Sequence, residues 1–346
     1  MTRPAAELDQ PDSIWNRAVA QTAQGDPFCC RTEWQLSLQE SYFPKRTLHL
    51  RASGSSLLAL AERDHPELGH TLEPLDSLWF FGSPLLGPDA LELLEDFLGE
   101  RAARGESSTF LLSGVVPGDA LRERILRSFL PGNEVYRIKT VNVCSASLDG
   151  GLDGFLSRRS RLLRRRLRQA TRRALDAGVA YERSAPSSPA EAAAAFERML
   201  GVERTSWKGL ERRGLDDRYS RLFYSAMMRR LAVSGSGRVI FARAGDRDVG
   251  FIFGGLAGTI YRGQQFSYAD DWAPFSIGNL LQQEQIAWLA EENVATYDMG
   301  PLMDYKHHWT ETRIGMEVLL LRPRRATGFA GQDGAPTRRT TGGGGE

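Results

Sequence analysis

RVIFARAGDRDVGFIFGGLAGTIYRGQQFSYADDWAPFSIGNLLQQEQIAWLAEENVATYDMGPLMDYKHHW, from Arg238 to Trp309, is the stretch that decides the fold. Three apolar runs follow one another: Arg238 to Ala242, Val249 to Phe253 and Thr259 to Tyr268. Gly245-Asp246 and Ala257-Gly258 separate them, and glycine admits the positive φ of tight hairpins. The third run alternates, with Tyr261, Gly263, Gln265 and Ser267 on one face and Arg262, Gln264, Phe266 and Tyr268 on the other. A loop from Ala269 to Phe275, a helix start at Ser276-Ile277-Gly278-Asn279, a helix from Leu280 to Glu291 and a short strand from Ala295 to Asp298 come next. Gly300 then opens a polar cluster ending at Trp309. A meander followed by strand, loop, helix and strand predicts a mixed sheet with a helix packed over it.

The loop before the helix is the place for a ligand. Helix N-terminal N–H groups and the helix dipole attract phosphate oxygens, and Gly278 lets a pyrophosphate approach the backbone closely. A helix start that merely needs a small residue is the competing explanation.

The chain has 346 residues, 41% hydrophobic and 25% charged, with a formal net charge of +1. That length exceeds one comfortable core, so two domains are expected. The composition is that of an ordinary soluble protein, and the balanced charge gives no overall pull toward nucleic acid. The N-terminus is polar and no apolar run reaches the roughly 20 residues of a membrane helix, so a cytoplasmic address without a membrane span is expected. Cys29, Cys30 and Cys144 suit a reducing compartment. The 5 histidines show no ligand spacing, so no metal is expected.

Outward from the central stretch, residues 1–25 read as a lead-in with a short helix near Ile14 to Thr22. Residues 26–150 read as a half that repeats the second in outline: helix Glu33 to Ser41, a hairpin around Gly54, a strand Leu78 to Phe81, helix Asp89 to Ala103, and later strands at Thr109 and Glu134. It lacks the polar cluster and reads as degenerate. Residues 151–324 form the working half, and 325–346 read as a disordered tail. Between Arg158 and Arg173 stand nine arginines and no acid, on a helix expected over 155–177. Leu156, Leu163, Leu167, Ala170 and Ala174 form its buried stripe. Like charges four residues apart repel, so an anionic partner or distant acids should offset them. A helix Glu191 to Arg213 would put Glu203, Ser206 and Trp207 on one face, before a helix Tyr219 to Ala232 and a last strand Met316 to Leu321.

This order of pieces resembles the GNAT acyltransferase superfamily. More narrowly, Asp298-Met299-Gly300 followed by Asp304-Tyr305-Lys306 and Trp309 is similar to the ending of the CelD-like and Fem-like acyltransferases. Asp26-Pro27-Phe28 with Trp34, and the arginine helix followed by Glu203 to Gly209, fit the same group. The resemblance spans about residues 26–322. It implies an α/β (α+β) protein of two GNAT-like halves, each a mixed, mostly antiparallel sheet flanked by helices. It also implies an acyl-coenzyme A donor held by Ser276, Ile277, Gly278 and Asn279. Ordinary GNAT phosphate loops carry several glycines, whereas this one has Gly278 alone.

No Ser-His-Asp or Cys-His set is visible, so direct attack of an amine on a bound thioester is the expected chemistry. It needs orientation, a base, an acid for the leaving thiolate and donors for the carbonyl oxygen. Tyr305 stands where the resemblance implies a tyrosine acid. Asp298, Asp304 and Glu203 are candidate bases or amine anchors, although an acid before Met299-Gly300 also serves simply to brace a turn. Lys306 suits donor phosphate or an acceptor carboxylate, and Trp207, Lys208 and Gln265 complete the expected substrate residues. For Trp207 and Trp309, core packing is the favoured explanation. Arg164, Arg165 and Arg168 are the expected phosphate contacts. The expected function is N-acyl transfer to an amine on a sugar, amino acid, peptide or polymer precursor. The alternatives are a Fem-like aminoacyl-tRNA-dependent transferase, with tRNA on the arginine helix, and a non-catalytic polyanion-binding protein of the same fold.

Overall fold

The computed structural model describes residues 8–211 and 214–324. Its strands are β1 (Leu48–Ser53), β2 (Ser56–His65), β3 (Gly69–Pro74), β4 (Leu85–Leu86), β5 (Thr109–Val115), β6 (Asn133–Ser147), β7 (Val179–Ser184), β8 (Gly237–Ala244), β9 (Arg247–Ala257), β10 (Ile260–Tyr268), β11 (Thr296–Pro301) and β12 (Thr312–Pro323). They form one mixed sheet in the order β1-β2-β3-β5-β12-β6-β11-β10-β9-β8-β7, with β4 on β2. The two halves meet where β6 pairs antiparallel with β11, from Thr296 opposite Ser147 to Pro301 opposite Val143. The C-terminal strand crosses back, inserting β12 between β5 and β6.

Each face of the second half is covered because its strands are apolar on both sides. On β8, Val239 and Phe241 pack with Phe196, Met199, Phe223 and Met227 from the helices Pro189–Arg204 and Arg218–Val233. Ile240 and Ala242 point the other way, onto Ile277 and Leu281 of helix Ile277–Glu291 and Ala170 and Ala174 of the arginine helix. A period of two in burial feeds two separate helical layers. No described helix is long and apolar enough to cross a membrane.

Several expectations change. From Leu8 onward the lead-in is packed, not loose: Trp15, Ala18 and Val19 of helix Ile14–Gln21 bury against Leu57 and Ala59, and Trp15 Nε1 donates to Cys30 O at 2.8 Å. The expected tail, 325–346, lies outside the described residues. The arginine segment divides into Gly151–Ser157 and Arg161–Asp176, because Ser160 caps the second helix by accepting from the Leu163 N–H. The helix through Glu203 ends at Arg204, and Ser206 caps a new short turn, Trp207–Leu210, by accepting from Gly209 N–H. Leu78 to Phe81 is not a strand but a loop, with Phe80 at φ +63. The alternation along β10 breaks at a bulge, where Gly263 pairs with Gly254 but Gln265 with Phe253, leaving Gln264 unmatched.

Candidate active site

β10 and β11 run parallel for only three registers, ending at Arg262 opposite Asp298. β10 then bulges, while β11 leans onto β6. Between the diverging strands opens a cavity of about 700 Å³. The bulged strand from Arg262 to Tyr268 lines it along its length. Helix ends supply Glu203, Trp207, Lys208, Ser276, Gly278 and Asn279, and the turn Asp304–His308 supplies Tyr305 and Lys306. The first half supplies Trp34, Trp79 and Phe81.

The cavity therefore gathers Glu203, Trp207, Lys208, Gln265, Ser276, Gly278, Asn279, Tyr305 and Lys306 from the expected set. Glu203 is buried; its Oε1 accepts from Leu215 N–H at 3.1 Å, and the Ser206 hydroxyl lies 3.5 Å from Oε2. Lys208 donates to Phe266 O at 2.9 Å, and burial lowers its pKa against the opposing charge of Glu203. Gln265 donates to the Tyr224 hydroxyl at 2.8 Å. Tyr305 is 39% exposed and lies edge-on to Phe266, and burial of its phenol, with Cys144 nearby, pushes its pKa up to about 12. It remains a proton donor across the physiological range.

The helix start is open. Ser276 sits at φ +59 and no side chain caps the first turn of Ile277–Glu291, so its leading N–H groups lack partners of that kind. Gly278 has a packing reason as well as a binding one: a Cβ there would lie 2.9 Å from the Phe266 ring and 3.1 Å from that of Tyr268. Ile277, expected among the donor contacts, turns its side chain into the core and does not line the cavity.

Other expected residues stand elsewhere. Asp304 is exposed and outside the cavity wall. Asp298 is buried behind the wall, accepting from Gly300 N–H at 2.6 Å, with Arg262 Nη1 3.4 Å away. Burial raises its pKa to about 6, opposed by Arg262 and reinforced by Asp26. Arg262 Nε lies 3.1 Å from Asp26 Oδ2, so one buried guanidinium joins the N-terminal Asp26 to both central strands. Asp298 is thus a brace, not a cavity-facing base. Lys306 is a clasp: it donates to Met299 O at 2.5 Å and Pro301 O at 2.8 Å, and burial, with Arg262 nearby, lowers its pKa to about 8. Trp207 is 46% exposed at the cavity wall rather than in the core, whereas Trp309 is buried and stacked on Phe155.

The arginine helix approaches from one side. An opening of about 490 Å³ shares Ser276, Asn279 and Tyr305 with the main cavity, and its arginines are Arg166 and Arg173. Arg164, Arg168 and Arg172 instead line a separate groove of about 520 Å³ with Gln283, and Arg165 lines neither. Spacing of three and four residues explains the division, since 166, 170 and 173 share one helical stripe and 164, 168 and 172 another. Arg158 and Arg159 pair with Glu311; among the described residues no acid pairs with the other seven.

Residues 161–307 match the family described as acetyltransferase (GNAT) domain. No curated protein matches the chain in sequence. FemX is similar in structure at a TM-score of 0.62 and 13% identity, over 92% of this chain and 96% of that one. A conserved protein of unknown function from Bacteroides thetaiotaomicron is similar at a TM-score of 0.61 and 9% identity, over 91% and 97%. L-PGS from Bacillus licheniformis is similar at 0.56 and 14%, over 94% and 96%. At such identities the likeness is one of fold. Residues 161–307 thus resemble a GNAT acetyltransferase domain, and the chain as a whole shares the fold of FemX and these other structures.

Proposed function

We propose that the protein is an N-acyltransferase that moves an acyl group from acyl-coenzyme A to an amine by direct attack. The observation that carries this reading is the divergence of β10 from β11 after Arg262 and Asp298, with an uncapped helix start and Tyr305 at the cavity it opens. The N-terminal N–H groups of helix Ile277–Glu291, with Arg166 and Arg173 beside them, hold the donor's phosphates. The bulge residue Gln264, released from the ladder, supplies backbone groups for the acyl oxygen. Glu203, buried in the cavity wall, takes the amine proton directly or through water, and Tyr305 gives its proton to the leaving sulfur. Lys306 and Asp298 position these groups by fixing the turn and the strands beneath them.

Titration calorimetry with acetyl- and long-chain acyl-coenzyme A tests the donor; a dissociation constant in the micromolar range is expected. Absence of heat with both would overturn the donor assignment. One observation favours a second reading. Seven arginines that pair with no acid among the described residues suit a larger polyanionic donor such as aminoacyl-tRNA, whose binding would weaken steeply with salt.

A further inference from the structure

The chemistry proposed above uses the second-half wall of the cavity and leaves the first-half wall without a task. That wall is built with unusual care. Asp76 is fully buried, and its carboxylate accepts from the N–H groups of Trp79 (3.0 Å), Phe80 (3.2 Å) and Phe81 (3.0 Å) and from Trp34 Nε1 (3.0 Å). At the far end of the loop, Gly82 lies so close to Cys29 that a Cβ would sit 2.4 Å from its carbonyl oxygen. Ser113 donates to Gly82 O at 2.5 Å. Between these pins Phe80 is forced to φ +63. An aromatic residue in the left-handed region is strained, and such strain persists only where the surroundings over-determine it.

The consequence is positional. Trp79 is held partly buried at the cavity, packed against Trp34 with ring centroids 5.3 Å apart, Phe223 at 5.5 Å and Tyr42 at 5.8 Å, with Phe81 also in the wall. The same cavity is lined by the polar groups Glu203, Lys208 and Gln265. An indole lining one cavity with a carboxylate and an amide fits a body that is apolar on one face and polar at its rim.

Resting on the acyl-transfer reading, we propose that Trp79 is the acceptor platform. It takes the flat face of a six-membered ring that carries the acceptor amine, with the amine directed at Glu203. Two sources offer that chemistry: an aromatic ring, and the C–H face of a pyranose. A linear alkylamine has no flat face to lay on the indole and should bind more weakly.

The test is direct binding, by calorimetry, of tyramine, glucosamine and n-hexylamine to the wild type, Trp79→Leu and Trp79→Phe. In the wild type at least one ring amine should bind about tenfold more tightly than hexylamine, and which one it is identifies the source. Trp79→Leu keeps apolar volume without a flat face and should abolish that preference, while Trp79→Phe should retain most of it. Equal binding of all three amines by the wild type would overturn the proposal, as would an unchanged preference in Trp79→Leu. If the Leu variant does not fold, the wild-type preference and its retention in Trp79→Phe decide alone. Acetyl-coenzyme A binding is measured on the same proteins: its absence in the wild type defeats the donor reading, while the ring preference is read independently.

Discussion

The two walls of the cavity are made differently. The second-half wall is polar and assembled from distant pieces: the turn at Glu203 to Lys208, the bulged β10, the helix start at Ser276 and the turn at Tyr305. The first-half wall is aromatic and comes largely from one short loop with Trp34 behind it. Each wall is nevertheless held by one buried charge. Asp76 gathers four donors in the first half, and Arg262 draws Asp26, Asp298 and the strands around them together at the join. On the proposed reading, the second half carries the reactive groups while the first half supplies shape, with Arg262 joining the two through Asp26 and Asp298.

Breaking that join should have the largest effect. Arg262→Leu leaves Asp26 and Asp298 buried beside each other without their cation. Removing one partner of a buried ion pair costs about 3–5 kcal/mol, a large part of a typical domain's stability. Chemical denaturation of the variant should show a loss of that size, with both halves unfolding earlier. A loss below about 1 kcal/mol would mean that the halves hold together without the clamp.

Next in size is Tyr305→Phe, which acts on the polar wall alone. It keeps the ring against Phe266 and removes only the hydroxyl. General acid assistance is worth about 10²-fold or more, so kcat should fall by that factor while donor affinity stays unchanged. Near-normal turnover with a lowered melting temperature would make Tyr305 a structural clasp instead.

The central meander and the helix after it were legible because their signals are local: glycine turns between apolar runs and a helix start at Ser276 to Asn279 followed by an unbroken helical span to Glu291. Gly278 could be singled out because it stands at a helix start, and Tyr305 and Glu203 because the resemblance to GNAT and Fem-like acyltransferases covers their segments. The first-half wall was not legible. Leu78-Trp79-Phe80-Phe81 reads as a strand by composition, and only the four bonds to Asp76 bend it into a loop. That outcome is a tertiary override of β-propensity. Arg262 was placed on a strand face with no hint of its partners, since Asp26 lies 236 positions away in the chain. The bulge at Gln264 is likewise invisible in the alternation it interrupts.

The arginine helix sharpens the comparison on a finer scale, because it has two faces of its own. Composition alone pointed to Arg164, Arg165 and Arg168 as phosphate contacts. The fold turns Arg166 and Arg173 toward the opening shared with Ser276, Asn279 and Tyr305, and it sends Arg164 and Arg168 to the groove beside Gln283. If donor phosphates sit at the helix start, Arg166→Gln with Arg173→Gln should weaken acyl-coenzyme A binding about tenfold, equivalent to about 1.4 kcal/mol. The same pair should flatten the dependence of affinity on salt, since screening acts on the charges removed. Arg164→Gln with Arg168→Gln removes the same charge from the same helix and should leave donor affinity nearly unchanged. Equal weakening by both pairs would mean that the helix acts as a diffuse positive field rather than through placed contacts. A larger effect from the 164/168 pair would move the phosphate site to the groove beside Gln283. Both pairs leave Leu167, Ala170 and Ala174 in place, so the buried stripe that seats the helix is untouched, and a change in affinity reads as electrostatics rather than as loss of fold.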